Sequence, residues 1–262
     1  MVFKRFMQAL GVGGPSVETV LANPNARPGG HLEGQVHVQG GDHAADIEYV
    51  SLGLVTRVEV ESGDSEYDTT QEFHRQRLTG AFRLEPGQRY DIPFRFDVPW
   101  ETPITHVYHQ YLHGMTMGLR TELEVARAVD KGDLDQVAVF PLPAQERILD
   151  ALQQLGFRFT RADVERGRIY GVEQTLPFYQ EIEFYPPPQY ASGISQLELT
   201  FVATARQLQV VLEIDKRGGL FTEGHDAFGR FNVDWATAEQ TNWTAQLDNW
   251  LRQSAQRRGL FF

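Results

Sequence analysis

Leu208-Gln-Val-Val-Leu-Glu-Ile214 decides the fold class. Leu208, Val210, Leu212 and Ile214 recur at every second position, and Asp215-Lys-Arg-Gly-Gly219 follows with the charge and glycine of a turn. A period of two places alternate side chains on opposite faces of a strand, with one face toward a core. Leu197, Leu199, Phe201 and Ala203 show the same period just upstream, and Phe178 to Tyr185, Phe157 to Asp163 and Gly167 to Gln174 read as further strands.

The pattern extends to the start of the chain. Val17, Thr19 and Leu21 alternate, as do Leu32, Gly34, Val36 and Val38, with Pro28-Gly-Gly30 and Gly40-Gly-Asp42 as turns. Strands are expected from Ile47 to Glu61, Gln71 to Leu84, Tyr90 to Val98 and Thr116 to Arg127, each bounded by Gly, Pro or Asp. Many short strands with little helix predict a mainly β protein built as a β-sandwich.

Three short helices interrupt this pattern. Phe3, Phe6, Met7 and Leu10 share helical spacing before Gly11, and the bland expectation is that this face docks on its own domain. Pro143 opens a helix with Ile148, Leu149, Leu152 and Leu155 on one face, stopped by Gly156. Trp243, Leu247, Trp250 and Leu251 form the apolar stripe of a C-terminal helix ending near Gly259.

With 262 residues the chain is long enough for two domains. The polar run Ala128-Val-Asp-Lys-Gly-Asp-Leu-Asp-Gln136, followed by Pro141 and Pro143, reads as a linker. The expected units are residues 1–128, with the N-terminal helix, and 144–262, with the C-terminal helix, joined by a linker over 129–143. A net charge of −11 disfavours phosphate backbones as partners. The absence of cysteine removes disulfides, thiolate metal sites and a cysteine nucleophile, and fits a reducing compartment. Lys4, Arg5 and Gln8 break the apolar start, so no signal peptide is expected, and no apolar window reaches the roughly 18 residues of a membrane span.

Several stretches resemble the bacterial sporulation-control protein family in order and spacing. They are Pro28-Gly29 through Gly34-Gln-Val-His-Val-Gln-Gly40, Gly118-Leu-Arg-Thr-Glu-Leu-Glu-Val-Ala126, Leu149-Asp-Ala-Leu-Gln-Gln-Leu-Gly-Phe-Arg-Phe159, Leu176-Pro-Phe-Tyr-Gln-Glu-Ile-Glu-Phe-Tyr185 and Glu213-Ile-Asp-Lys-Arg-Gly218. The resemblance implies two arrestin-like β-sandwich domains and a cytoplasmic scaffold or adaptor that regulates sporulation or development by binding protein partners. It brings no catalytic residues and no cofactor, so no enzyme is expected, and it leaves a homo-oligomer open. The stretch Thr105 to Gly114 is richer in histidine than the family pattern.

His106, His109 and His113 are the sharpest chemical candidate. On a helix, their i, i+3, i+7 spacing would gather three imidazoles for zinc or copper, with Thr102, Pro103 and Gly114 as helix signals. On a strand, His106 faces away from the other two and a pair remains at most. A metal-binding protein or metal-dependent enzyme on this cluster is therefore one alternative. A membrane-peripheral scaffold using Lys4, Arg5, Phe3 and Phe6 is the other.

The remaining signals are weaker. Gly11-Val-Gly-Gly-Pro-Ser16 lacks the ending of a phosphate loop, and neither Gly-x-Ser-x-Gly nor His-Glu-x-x-His occurs. Glu122 with Glu124 and Glu181 with Glu183 are two apart, which predicts solvated outer faces of strands rather than acid/base pairs. Pro186-Pro-Pro188 reads as a rigid loop after a strand, and Asn242-Trp-Thr244 as the start of the last helix. The turn residues Asp215, Lys216 and Arg217 are the candidates for a protein contact.

Overall fold

The structure, a computed structural model, describes residues 13–62, 65–108, 110–215 and 227–256. The expected N-terminal helix, Lys216, Arg217 and His109 lie outside the described residues.

The long strand β4 (Ala45–Ser62) organises the molecule. Residues 50–56 are buried on both faces, which is how a central strand with cover on both sides reads. β10 (Met117–Val125) runs antiparallel along one edge, and β5 (Ser65–Arg77) and β6 (Phe82–Leu84) along the other. A separate three-stranded sheet has β3 (His31–Gln39) between β1 (Ser16–Leu21) and β7 (Arg89–Asp97). The apolar faces of these strands, including Leu32, Val36, Phe94, Phe96, Leu52, Leu54, Leu119 and Leu123, meet in one buried cluster.

β4 also carries the chain's second half. It pairs in parallel with β13 (Arg158–Arg166) at Glu165 and Glu59, and β14 (Phe178–Tyr185), β15 (Gln196–Ala203), β16 (Gln207–Asp215) and β17 (Ala227–Asp234) continue the same sheet in antiparallel register. The Leu208 stretch lies in β16, with Leu208, Val210, Leu212 and Ile214 buried as its alternation requires. The apolar cluster runs without a break from the first half into the second.

Two helices pack on the second half. α1 (Pro143–Gln154) begins with Pro143 at its first position and Gln145 Oε1 accepting from Leu142 N at 2.8 Å. It ends at Gly156, whose φ of 90° suits glycine. α2 (Trp243–Gln256) buries Trp243, Leu247 and Leu251, and Asn242 Oδ1 caps it by accepting from Ala245 N at 3.1 Å.

The structure departs from the sequence reading in several places, and the expected strand Gln71 to Leu84 is two, β5 and β6. The segment 129–143 is not an open connection: β11 (Lys131–Gln136) pairs with β10, and β12 (Ala138–Val139) pairs in parallel with β2 (Asn25–Ala26). Gly167 to Gln174 is a loop rather than a strand. The buried amide of Gln174 donates to the Gly167, Leu176 and Phe178 carbonyls and accepts from Ile169 N, and these bonds fold the backbone on itself. β17 was not foreseen, because exposed Phe228 and Arg230 obscure its period.

Candidate functional site at the junction of the two halves

Residues 106–111 form the hairpin β8 (His106–Val107) and β9 (Gln110–Tyr111), with His106 opposite Tyr111. The helical face that would gather three histidines does not form, because Tyr108 turns the chain with φ 51°. His106 stacks on Phe140 at 5.1 Å, meets the edge of Tyr111 at 5.4 Å and bonds Thr105 Oγ1 through Nδ1 at 2.8 Å. Burial lowers its pKa, which favours the neutral ring of a packed residue. His113 points outward, and its carbonyl accepts from Ala162 N at 3.0 Å. Among the described residues, no group of three side chains able to share an ion includes a histidine.

The hairpin forms one wall of an apolar groove of about 440 Å³. Leu149 and Gln153 of α1 form a second wall, and Phe157, Ile182 and Phe184 lie beneath. Tyr108, Tyr111 and Phe159 stand at its rim with 48%, 46% and 39% of their surface exposed, so three large aromatics adjoin one apolar concavity. The walls are fixed. The Tyr108 hydroxyl donates to Asp150 of α1 at 2.6 Å, Phe159 meets Phe184 edge-on at 6.3 Å, and Phe157 stacks on Tyr190 at 5.4 Å. The Tyr190 hydroxyl in turn donates to Asp248 of α2, which also accepts from Arg252 at 2.8 Å. Burial, with Asp150 and Glu146 alongside, pushes the Tyr108 hydroxyl up, so it stays a donor.

Gly114, at φ 100°, lets the chain leave the hairpin, and a Cβ there would collide with the Ala162 carbonyl oxygen. Tyr111 also borders a second groove of about 320 Å³ lined by Val55, Thr70, Met117 and Leu134. Among the described residues Arg158 is the one charged residue lining the first groove, and it makes no ion pair with another of them.

Polar fasteners hold the two halves in register beside the groove. The carboxylate of Glu101 accepts from Thr175 N at 2.9 Å, Thr175 Oγ1 at 2.6 Å and Leu176 N at 3.1 Å. The buried Gln180 amide accepts from Ile104 N at 3.0 Å and donates to Ile104 O at 2.7 Å. Phe73 meets Phe178 edge-on at 5.3 Å, and Trp100 faces Trp235 at 6.0 Å.

The carboxylate pairs behave differently from expectation. Glu183 is buried and accepts from Arg161 Nε at 2.7 Å. Antiparallel register sets Asp163 opposite Glu181 and Glu198 opposite both Glu183 and Glu213, and this concentrates negative charge. Burial first, then Glu198, Glu165, Asp163 and Glu213, push the Glu181 carboxyl up to about 9. Glu122, Glu124 and Asp130 form a more exposed group of the same kind on the first half. Asp215 ends β16 opposite Gln196, and its partners in the candidate turn lie outside the described residues.

Comparison with known proteins places the whole arrangement. The family model described as Spo0M, SpoOM protein, matches residues 3–218. The chain belongs to the Spo0M family. The sporulation-control protein Spo0M of Bacillus subtilis is 35% identical over 216 residues, covering 82% of this chain and 81% of that protein. The crystal structure of Bacillus subtilis Spo0M superposes with a TM-score of 0.81 at 32% identity, covering 92% of this chain and 99% of that one. The mainly β architecture, with its strands in both halves, is therefore that of a Spo0M-family member. Every groove residue named above lies within the matched range. Among the described residues no helix is long and apolar enough to cross a membrane.

Proposed function

We propose that this protein is a non-enzymatic regulator of sporulation or development that works in the cytoplasm by docking protein partners in the junction groove. Kinship with the sporulation-control protein of Bacillus subtilis supports the regulatory role. The docking mechanism rests on one observation: three exposed aromatic side chains surround an apolar groove whose walls are pinned by hydrogen bonds from both halves. Aromatic anchors at a preorganised concavity are how protein interfaces concentrate binding energy, since little ordering remains to be done on association. In this reading the chain comprises two arrestin-like β-sandwich units, 1–128 and 144–262, with 129–143 between them, and the fasteners at Glu101 and Gln180 hold the groove open between the units.

The test is complementation in the protein's own host after deletion of the gene. A Tyr111→Ser, Phe159→Ser double variant should accumulate and melt like the parent yet fail to restore normal sporulation or development, whereas a change at exposed Gln35 on the three-stranded sheet should restore it. Full restoration by the groove variant would refute the reading.

A further inference from the structure

Resting on the docking reading, we propose that the groove takes an extended peptide segment in which apolar side chains adjoin an acidic residue, and that Arg158 receives the carboxylate. In a chain of net charge −11, the one charged residue lining this groove among the described residues is a cation. Arg158 makes no ion pair among the described residues, although α1 carries the carboxylates Glu146 and Asp150. Those carboxylates are engaged elsewhere, Asp150 with the Tyr108 hydroxyl at 2.6 Å and Glu146 with Arg27 at 3.3 Å.

Arg158 offers a planar fork to a carboxylate, and a charge-assisted bond of that kind is stronger than one between neutral groups. The remaining volume is apolar and falls within the size range of ligand pockets. The backbone favours an extended occupant. β14 covers one edge of β13, whereas on the other edge β13 pairs with β4 at Glu165 alone and Ala162 N is taken by His113 O. Arg158 and Phe159 therefore have a strand neighbour on one edge only among the described residues, and an incoming strand can use the other.

Short random peptides displayed on phage, selected against the full-length protein and re-measured by fluorescence anisotropy, test this directly. The expected winners carry two or more apolar residues next to Asp or Glu, bind less tightly as salt is raised, and lose about tenfold in affinity or more on Arg158→Glu. Arg158→Gln, a milder change at the same exposed position, should give an intermediate loss. If the selected peptides depend on Phe159 but show no acidic preference, or bind Arg158→Glu as well as the parent, the acidic-peptide inference fails and the docking reading stands. If no peptide is selected, or the winners ignore Phe159→Ser, the docking reading fails and takes this inference with it.

Discussion

At the scale of single residues, Glu181 shows how a fold can hold a group against its chemistry. Its carboxyl is pushed up to about 9 by burial and by Glu198, Glu165, Asp163 and Glu213. A carboxyl raised in this way favours the folded state while protonated. Its contribution is fully present below the unfolded value near 4.5 and drains away as pH rises toward 9. Glu181→Gln keeps the neutral shape and should stabilise the protein by about 1–2 kcal/mol at pH 8, with little effect at pH 4. Urea denaturation at the two pH values measures it, and equal effects at both would contradict the assignment. The sequence predicted the alternation of Glu181 and Glu183 around Ile182 correctly but not its consequence. Which acids become neighbours depends on the register of β13 to β16, and a single strand's pattern carries no register.

At the scale of elements, the strands with clean alternation were legible, β3 and β16 above all, and so was α1 with Pro143 at its start and Gly156 at its end. β11 was not, for a physical reason. Lys131, Asp133 and Asp135 share the face of β11 that lies beside Leu123, Thr121 and Leu119, whereas Leu134 stands 61% exposed on the other. Edge strands with inward charges look like linkers in sequence, and Asp133 uses its charge to accept from Thr19 N of β1 at 2.8 Å. The histidine stretch offered both helix and strand signals, and the hairpin won because its flanks are bound by main-chain bonds: Thr105 to Val139, Leu112 to Thr105 and Ala162 to His113. The last of these fixes the hairpin to β13 beside Gly114. Gly114→Ala should cost about 2–4 kcal/mol, combining backbone strain at positive φ with a collision against the Ala162 carbonyl. A midpoint shift in urea unfolding reads this out, and a near-neutral result would mean that hairpin and β13 are not packed as described.

At the scale of the whole molecule, one apolar cluster and a set of polar fasteners join the two halves into a single scaffold for the groove. Glu101 is the most economical of these fasteners, with one carboxylate satisfying two amides and a hydroxyl from the segment 175–176. Glu101→Ala should cost about 1–3 kcal/mol and speed hydrogen exchange at Thr175 and Leu176 while β3 keeps its protection. Uniform loss of protection would argue against a local fastener. The groove itself was hidden from sequence reading because its lining sets the hairpin of the first half against α1, β13 and β14 of the second, and no local pattern shows that the two halves meet there. The central claim is that partners dock there. The most direct test is a photo-crosslinking amino acid placed at Tyr111 in cells that use the protein, compared with the same group at Gln35 on the three-stranded sheet. The account predicts a discrete protein adduct from Tyr111 that Phe159→Ser abolishes and that is absent from Gln35. The same adducts from both positions, or none from Tyr111, would contradict it.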